Sequence, residues 1–223
     1  MRILSVSDVI DPQLYPRADK ERLGPIDLVL GCGDLPPEYL SYLTNAFDVP
    51  LFYVKGNHDI RYRDNAPLGC CNIHERVVSF RGLKLMGLEG SMWYNGGPYQ
   101  YTEKEMARTV RRMRPVVWWR GGVDVVITHA PPQGIHDGTD LCHRGFECYR
   151  RLIQSYRPAY FIHGHIHRRF DRAADRETRA AGTTIVNTYG HSILEFDHAR
   201  LDQKTKGKPG IQRSREYRQK LQG

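Results

Sequence analysis

The sequence predicts an α/β fold: a two-sheet sandwich derived from a βαβαβ unit and flanked by helices. Three features of the chain support this prediction. Short apolar runs alternate with helix-prone segments near the start, and the short links between them favour a parallel sheet covered by helices. Apolar runs recur in the second half, so a second sheet is expected. Five of these runs end in a polar cluster, as strands that lead into a functional site do.

The alternation of strands and helices is clearest in the first part of the chain. Mostly apolar runs predict strands at Arg2–Ser7, 26–32 and Leu51–Val54, as is typical of central parallel strands. A helix-prone stretch reaching Arg22 separates the first two strands. A second helix is predicted over 38–47, after a Pro-Pro pair of the kind tolerated in a first turn.

The second half adds strands and two further helices. Val77–Phe80 and Leu83–Leu88 predict an antiparallel pair joined by an Arg-Gly turn. Thr102 is a candidate N-cap for a helix that ends near Arg114. The remaining predicted elements are strands at 123–128 and Tyr160–His163, a helix at 146–156, and a final strand pair at Thr183–Asn187 and 192–196.

Two loops and one aromatic pair complete the chain. Residues 91–101 are rich in glycine and aromatic rings, which either stack on a ligand ring or, the favoured interpretation, form a core patch under the loop. Residues 131–145 form a polar loop of a length that is usually functional or mobile. The adjacent Trp118 and Trp119 are expected to pack at a helix end.

Length and composition indicate one folded domain. The 223 residues are 40% hydrophobic and 26% charged, which argues for a folded domain over 1–200 followed by a basic tail over 201–223. No apolar run approaches the roughly 18 residues of a membrane span, and no signal-peptide pattern occurs, so we expect a cytoplasmic protein without membrane contact. The five cysteines lack CxxC spacing and are expected to be reduced thiols.

The net charge of +8 is concentrated in the tail. Residues 204–223 carry seven basic side chains and one acidic side chain, which supply +6 of that charge. The tail is therefore either a solvated terminus or a contact for nucleic acid or another polyanion.

The polar clusters at the strand ends predict a metal centre. Because the carboxyl ends of parallel strands meet at one edge of a sheet, these side chains should lie close together. A mixed oxygen–nitrogen set suits Mn²⁺, Fe²⁺, Zn²⁺ or Ni²⁺ better than Ca²⁺, and it is large enough for two ions bridged by a carboxylate. The candidate ligands are Asp8, Asp34, Asn57, His129, His165 and His167.

The same residues carry a resemblance to a known family. The motifs resemble those of the calcineurin-like metallophosphoesterase superfamily in order, and the likeness covers about residues 1–197. Residues 128–132 and 142–145 also resemble class III phosphodiesterase-like members. The matching motifs are Asp8, Gly33-Asp34, Gly56-Asn57-His58-Asp59, Thr128-His129 and Gly164-His165-Ile166-His167.

The resemblance implies a role for each residue. His58 would donate to a developing oxyanion or protonate the leaving oxygen, with Asp59 orienting its ring. His143 is either a residue of the polar loop or, because the matching family segment lies over the site, a contact to the substrate. The implied ligand sets are Asp34 as the bridge, Asn57, His129 and His165 completing one metal site, and Asp8 and His167 serving the other.

One position departs from the family pattern. The first family motif is Asp-x-His, whereas this chain reads Asp8-Val9-Ile10, and an isoleucine has no lone pair for a metal. Three outcomes are open: water completes a weaker site, Asp11 turns inward, or the site is empty. Pro12 biases Asp11 towards extended geometry, which opposes the second outcome.

The resemblance implies a metal-dependent hydrolase of phosphate esters. We expect a phosphodiesterase that uses two metal ions and a bridging hydroxide. The alternatives are a phosphomonoesterase or protein phosphatase, and a scaffold or binding protein whose catalysis is weakened by Ile10.

Overall fold

The computed structural model describes residues 1–168, 170 and 172–197. The expectations for the basic tail over 201–223 lie outside the described residues. In chain order, the strands are β1 (Arg2–Ser7), β2 (Leu28–Cys32), β3 (Leu51–Val54), β4 (Cys70–Asn72), β5 (Val77–Phe80), β6 (Leu83–Leu88), β7 (Ser91–Met92), β8 (Gln100–Tyr101), β9 (Val125–Thr128), β10 (Tyr160–His163), β11 (Glu177–Ala180), β12 (Thr183–Asn187) and β13 (Gly190–Glu195). The helices are α1 (Lys20–Leu23), α2 (Pro37–Phe47), α3 (Glu103–Trp119) and α4 (Glu147–Tyr156).

Two large sheets form the predicted sandwich. The first has the order β13-β1-β2-β3-β4, in which β1 to β4 are parallel and β13 is antiparallel to β1. The second has the order β11-β12-β10-β9-β6-β5, with a parallel centre and antiparallel edges. The α/β two-sheet fold is therefore confirmed.

Three apolar layers hold the sheets and helices together. Ile3 and Leu30 of the first sheet meet Ile127 and Ile162 of the second in the layer between the sheets. Helix α2 covers the outer face of the first sheet, and α3 and α4 cover the second. The central strands are thus buried on both faces, which explains why their sequences are nearly continuous apolar runs.

Helix α3 extends beyond its predicted end near Arg114. A capping box between Thr102 and Glu105 starts the helix, and the helix continues through Pro115, whose ring faces solvent. Met113 and Val117 pack in the core on either side of this position and hold the last turns in place. Proline removes one helical hydrogen bond, but that loss falls on the exposed face.

The expected packing of Trp118 and Trp119 is wrong. Their side chains are 83% and 75% exposed, at the end of α3 beyond its predicted bound.

The expected pairing of the last two strands is also wrong. Strand β12 lies in the second sheet between β11 and β10, whereas β13 crosses to the first sheet and pairs with β1. Thr188 and Tyr189 form this crossing. The Thr188 amide donates to the His163 carbonyl in the second sheet, and Tyr189 forms an isolated parallel β-bridge with Ser7 of the first sheet.

The chain reverses at the carboxyl ends of the parallel strands, where the two sheets meet. The Gly164 amide donates to the carbonyl of His129 within the second sheet, and the Asp8 amide donates to that of Gly33 within the first. The His129 ring reaches the Cys32 carbonyl and joins the two sheets at this edge. Among the described helices, none is long and apolar enough to cross a membrane.

Candidate metal centre

Four of the predicted ligands converge on one point at the edge shared by the sheets. The Nε2 atom of His129 lies 3.1 Å from Asn57 Oδ1, 3.2 Å from Asp34 Oδ2 and 3.1 Å from His165 Nδ1. Asn57, His129 and His165 are buried, and the Asp34 side chain is only 7% exposed. Two oxygens and two nitrogens therefore surround a small, largely dry volume.

Backbone carbonyls orient both histidine rings. His129 Nδ1 lies 2.9 Å from the Cys32 carbonyl, and His165 Nε2 lies 2.7 Å from the Cys142 carbonyl. A carbonyl only accepts, so each of these nitrogens donates in the neutral ring, and the other nitrogen keeps its lone pair. The free lone pairs belong to His129 Nε2 and His165 Nδ1, the two atoms that face each other. Such second bonds are how proteins usually orient metal-binding histidines, and the donor set fits a borderline divalent cation.

Burial and the charges of neighbouring side chains shift the pKa values of Asp34, His129 and His165. Burial alone would lower the pKa of His129, but the adjacent Asp34 carboxylate raises it to about 9. Burial opposes the charged form of Asp34, yet the His129 charge and hydrogen bonds from His129 and from the His58 amide hold its pKa well below the usual range. Burial and the His129 charge lower the pKa of His165 to about 4. The negative charge of Asp34 thus favours a cation in the space beside His129 Nε2.

The turns after the strands place these side chains. Asp8, Asp34 and His165 have φ angles of 67°, 56° and 67°, in the left-handed region that non-glycine residues seldom adopt. Such conformations cluster at functional sites. A Cβ atom on Gly56 would overlap the Asp34 carboxylate, so only glycine fits at the start of the GNHD segment.

The Asp59 carboxylate binds backbone amides of two loops, and not the ring of His58. Its carboxylate accepts backbone N–H groups from Gly56 at 2.7 Å, Asp34 at 2.9 Å and Leu35 at 3.1 Å. Burial and the Asp34 charge raise the pKa of Asp59 to about 7, against these hydrogen bonds. This arrangement differs from the orienting contact with His58 that the family resemblance implied, and it ties the second and third strand ends together.

His58 lies at the open side of the centre. Its backbone amide donates to Asp34 Oδ1 at 2.8 Å, while its side chain is exposed. The ring borders a pocket of about 190 Å³, which is also lined by Leu35, Pro36, Pro37, Arg61 and Tyr62. The pocket offers room for an organic group beside the cluster.

Asp8 and His167 lie together next to the complete cluster. His167 Nε2 is 3.4 Å from Asp8 Oδ1, and the hydrogen bond to Asp8 raises the pKa of His167. The fully buried Asp8 carboxylate also accepts the Ser7 hydroxyl and the His165 amide, the latter at 3.0 and 3.1 Å. Among the described residues, the compact group of His, Cys, Asp and Glu ligand atoms is Asp34, His129 and His165, which leaves this pair outside it.

Asp11 does not replace the missing histidine at position 10. Its carboxylate lies 2.6 Å from His191 Nδ1 on β13 and accepts the Gln13 amide at 2.9 Å. The hydrogen bond from His191 lowers the pKa of Asp11. The Ile10 side chain is 43% exposed. The Asp8 side of the centre therefore offers fewer protein ligands than the family pattern.

Two contacts to the cluster could not be predicted from sequence motifs. The Tyr94 hydroxyl accepts the Asn57 side-chain amide at 3.2 Å, so the aromatic loop supplies part of the site. The Cys142 carbonyl orients His165, which places the long polar loop over the cluster. His143, the predicted substrate residue, lies there too, with its ring centre 5.4 Å from that of His165.

A second pair of histidines lies behind the cluster. His136 Nδ1 lies 2.9 Å from His163 Nε2, and His136 Nε2 lies 2.8 Å from the Thr178 hydroxyl. His163 Nδ1 is 2.9 Å from the Gly164 carbonyl, immediately before His165. This chain of hydrogen bonds holds the turn that carries His165, and it requires that at least one of the two rings is neutral, because only one of the two facing nitrogens can carry the shared proton.

We predict that acid destabilises the metal-free protein through His163. Burial and the neighbouring His136 lower its pKa to about 3, from about 6.5 in the unfolded chain. Between these values only the unfolded state binds the proton. The free energy of unfolding should then fall by up to about 1.4 kcal/mol per pH unit for this group as the pH decreases. Urea unfolding across this range measures the slope, and His163→Gln should make it shallower. An equal slope in that variant would contradict the assignment.

Comparison with known proteins identifies the family. The calcineurin-like phosphoesterase model matches residues 1–169, which is most of the chain. The chain therefore belongs to the calcineurin-like phosphoesterase family. No curated protein matches it significantly.

Solved structures share the fold at low sequence identity. The protein TT1561 of Thermus thermophilus is 16% identical with a TM-score of 0.58, and the alignment covers 85% of this chain and 89% of that one. GAP50, the anchor in the inner membrane complex of Plasmodium, is 11% identical with a TM-score of 0.51, covering 85% and 71%. At such identities the likeness supports the fold alone.

Proposed function

We propose that this protein is a metal-dependent hydrolase of phosphate esters that acts on diesters. The observation that carries the proposal is the convergence of Asp34, Asn57, His129 and His165, with the lone pairs of both rings directed at one point. These four residues would hold the first divalent ion. Asp8 and His167, together with Asp34, would hold a second ion more weakly.

The metal ion and the side chains would have different roles in hydrolysis. A bound divalent ion supplies Lewis acidity, which activates water and offsets the charge of phosphoryl oxygens. His58 donates a hydrogen bond or a proton to an oxygen of the substrate from the open side of the cluster. Tyr94 holds Asn57 in place, and Asp59 fixes the turns that carry Asp34 and Gly56.

Charge favours a diester over a monoester. A diester phosphate carries one negative charge near neutral pH, whereas a monoester carries nearly two. The Asp8 side has fewer ligands than the family pattern, and Arg61 beside His58 is paired with Glu38. The positive charge available for a dianion is therefore limited. The pocket beside His58 also gives one ester substituent a place to bind.

Turnover of two model substrates tests the proposal. Purified protein reconstituted with Mn²⁺, Fe²⁺, Zn²⁺ or Ni²⁺ should hydrolyse bis-p-nitrophenyl phosphate with a higher kcat/KM than p-nitrophenyl phosphate. Removal of the metal with a chelator should abolish both activities, and the metal should restore them. A preference for the monoester would make the protein a phosphomonoesterase. The absence of turnover with either ester and any of the four metals would contradict the enzymatic function.

A scaffold without strong catalysis is the second candidate. It is favoured by Ile10 and by the hydrogen bonds that already satisfy Asp8. Metal analysis separates the two candidates, because a hydrolase should retain an ion at the Asp34 cluster after dialysis, while a pure scaffold should retain none after reconstitution.

A further inference from the structure

Helix α3 ends in an exposed apolar patch. Within the described part of the chain, Trp118 is 83% exposed, Trp119 75% and Val116 39%. We call these three residues the tryptophan patch. A lone exposed apolar residue needs no explanation, but a contiguous group that includes two indoles is typical of an interaction surface.

Basic residues surround the tryptophan patch. From Glu103 to Arg120 the chain has six basic and two acidic side chains, and both acidic ones lie in the first turn of α3. Arg111, Arg114 and Arg120 are exposed towards the other end of the helix, and the Arg120 guanidinium lies 5.3 Å from the centre of the Trp119 ring. The apolar surface is thus set in a region of positive charge.

The tryptophan patch lies away from the candidate metal centre. After α3 the chain enters β9 at its amino end, and the Lys84 side chain at the start of β6 bonds to the Gly121 carbonyl there. His129 follows the opposite end of β9. A partner bound at the tryptophan patch would leave the metal centre open to substrate.

We propose that the tryptophan patch and its arginines bind the surface of an anionic lipid membrane. Indole rings favour the boundary between headgroups and acyl chains, and arginines pair with lipid phosphates. A second copy of this chain would place like charges opposite each other across a two-fold axis. Nucleic acid would leave Val116 without an apolar partner. The expectation of no membrane contact came from the lack of a segment that could span a bilayer and of a signal-peptide pattern, and surface binding needs neither.

Vesicle binding by the full-length protein tests this proposal. The chain should cosediment with phosphatidylcholine vesicles that contain phosphatidylglycerol, and not with phosphatidylcholine alone. Binding should weaken with added salt. Tryptophan fluorescence should shift to the blue on binding, since two of the three tryptophans lie in the tryptophan patch.

Matched variants locate the contact. Trp118→Ala/Trp119→Ala should lower the vesicle affinity about tenfold or more and abolish the blue shift. Trp93→Ala, which removes the third and half-exposed tryptophan, should bind as the unmodified chain does. Arg111→Gln/Arg114→Gln/Arg120→Gln keeps both indoles and should lose the preference for anionic vesicles. The two indoles are exposed, so ester hydrolysis should be unchanged in the Trp118/Trp119 variant.

Four results would overturn the proposal. They are no vesicle binding by the unmodified chain, equal binding by the Trp118/Trp119 variant, a dimer in solution that this variant dissociates, and binding to single-stranded DNA in place of vesicles. The third would assign the tryptophan patch to a second copy, and the fourth to nucleic acid.

Discussion

His129→Ala should remove the tightly held metal ion and nearly all ester hydrolysis. His129 Nε2 is the atom at the centre of the cluster, 3.1 to 3.2 Å from Asn57, Asp34 and His165. Without this ring the site loses a nitrogen ligand, and the second sheet loses the bond from His129 Nδ1 to the Cys32 carbonyl of the first sheet. We expect metal affinity to fall by more than about 100-fold, and kcat/KM by about a thousandfold or more.

Metal content by mass spectrometry and kinetics at saturating metal measure the two effects. His74→Ala is a control, because His74 is a largely buried histidine beside carboxylates, 3.6 Å from Glu89 and 3.7 Å from Glu75. It lies outside the compact ligand group and should keep both metal and activity. Circular dichroism and thermal unfolding should show that both variants fold. Retention of the ion by His129→Ala would contradict the proposed centre.

The central strands could be predicted because burial leaves a clear pattern. β1, β3, β10 and β12 have the predicted bounds, since strands covered on both faces read as continuous apolar runs. The short edge strands β4, β7, β8 and β11 are partly exposed and mixed in character, so they give no such pattern. The crossing of β13 to the first sheet depends on packing between the sheets, so the local sequence does not predict it.

The candidate ligands could be predicted because parallel strands bring their carboxyl ends together. The parts of the site that depend on backbone groups could not. The carbonyls of Cys32 and Cys142 orient the two histidines, yet a carbonyl belongs to every residue and has no sequence signature. The pairing of Asp11 with His191 joins residues 180 positions apart, so only the fold could reveal it.

The same limit applies to the surface. Sequence position placed Trp118 and Trp119 at a helix end, where indoles usually pack. Their exposure depends on how far α3 continues past Pro115, and this is set by the packing of Met113 and Val117. A helix end that lies beyond the predicted one thus leaves exposed an aromatic pair that the sequence predicted to be packed.

His58→Asn should lower kcat by about 10² to 10⁴-fold while leaving the metal in place. The His58 side chain is exposed and contributes only its backbone amide to Asp34, so its loss should not disturb the cluster. An asparagine keeps that amide but cannot transfer a proton. Metal content and thermal stability should therefore match those of the unmodified chain.

The leaving group distinguishes the two roles open to His58. If the ring protonates the leaving oxygen, the loss should be large for diphenyl phosphate and small for bis-p-nitrophenyl phosphate, because p-nitrophenolate is a weak base that leaves without a proton. If the ring stabilises an oxyanion on phosphorus, the loss should be similar for both diesters. The ratio of kcat between the unmodified chain and His58→Asn, measured with each diester, decides between the two roles. An unchanged kcat with both diesters would remove His58 from the mechanism, and loss of metal would assign it to the cluster instead.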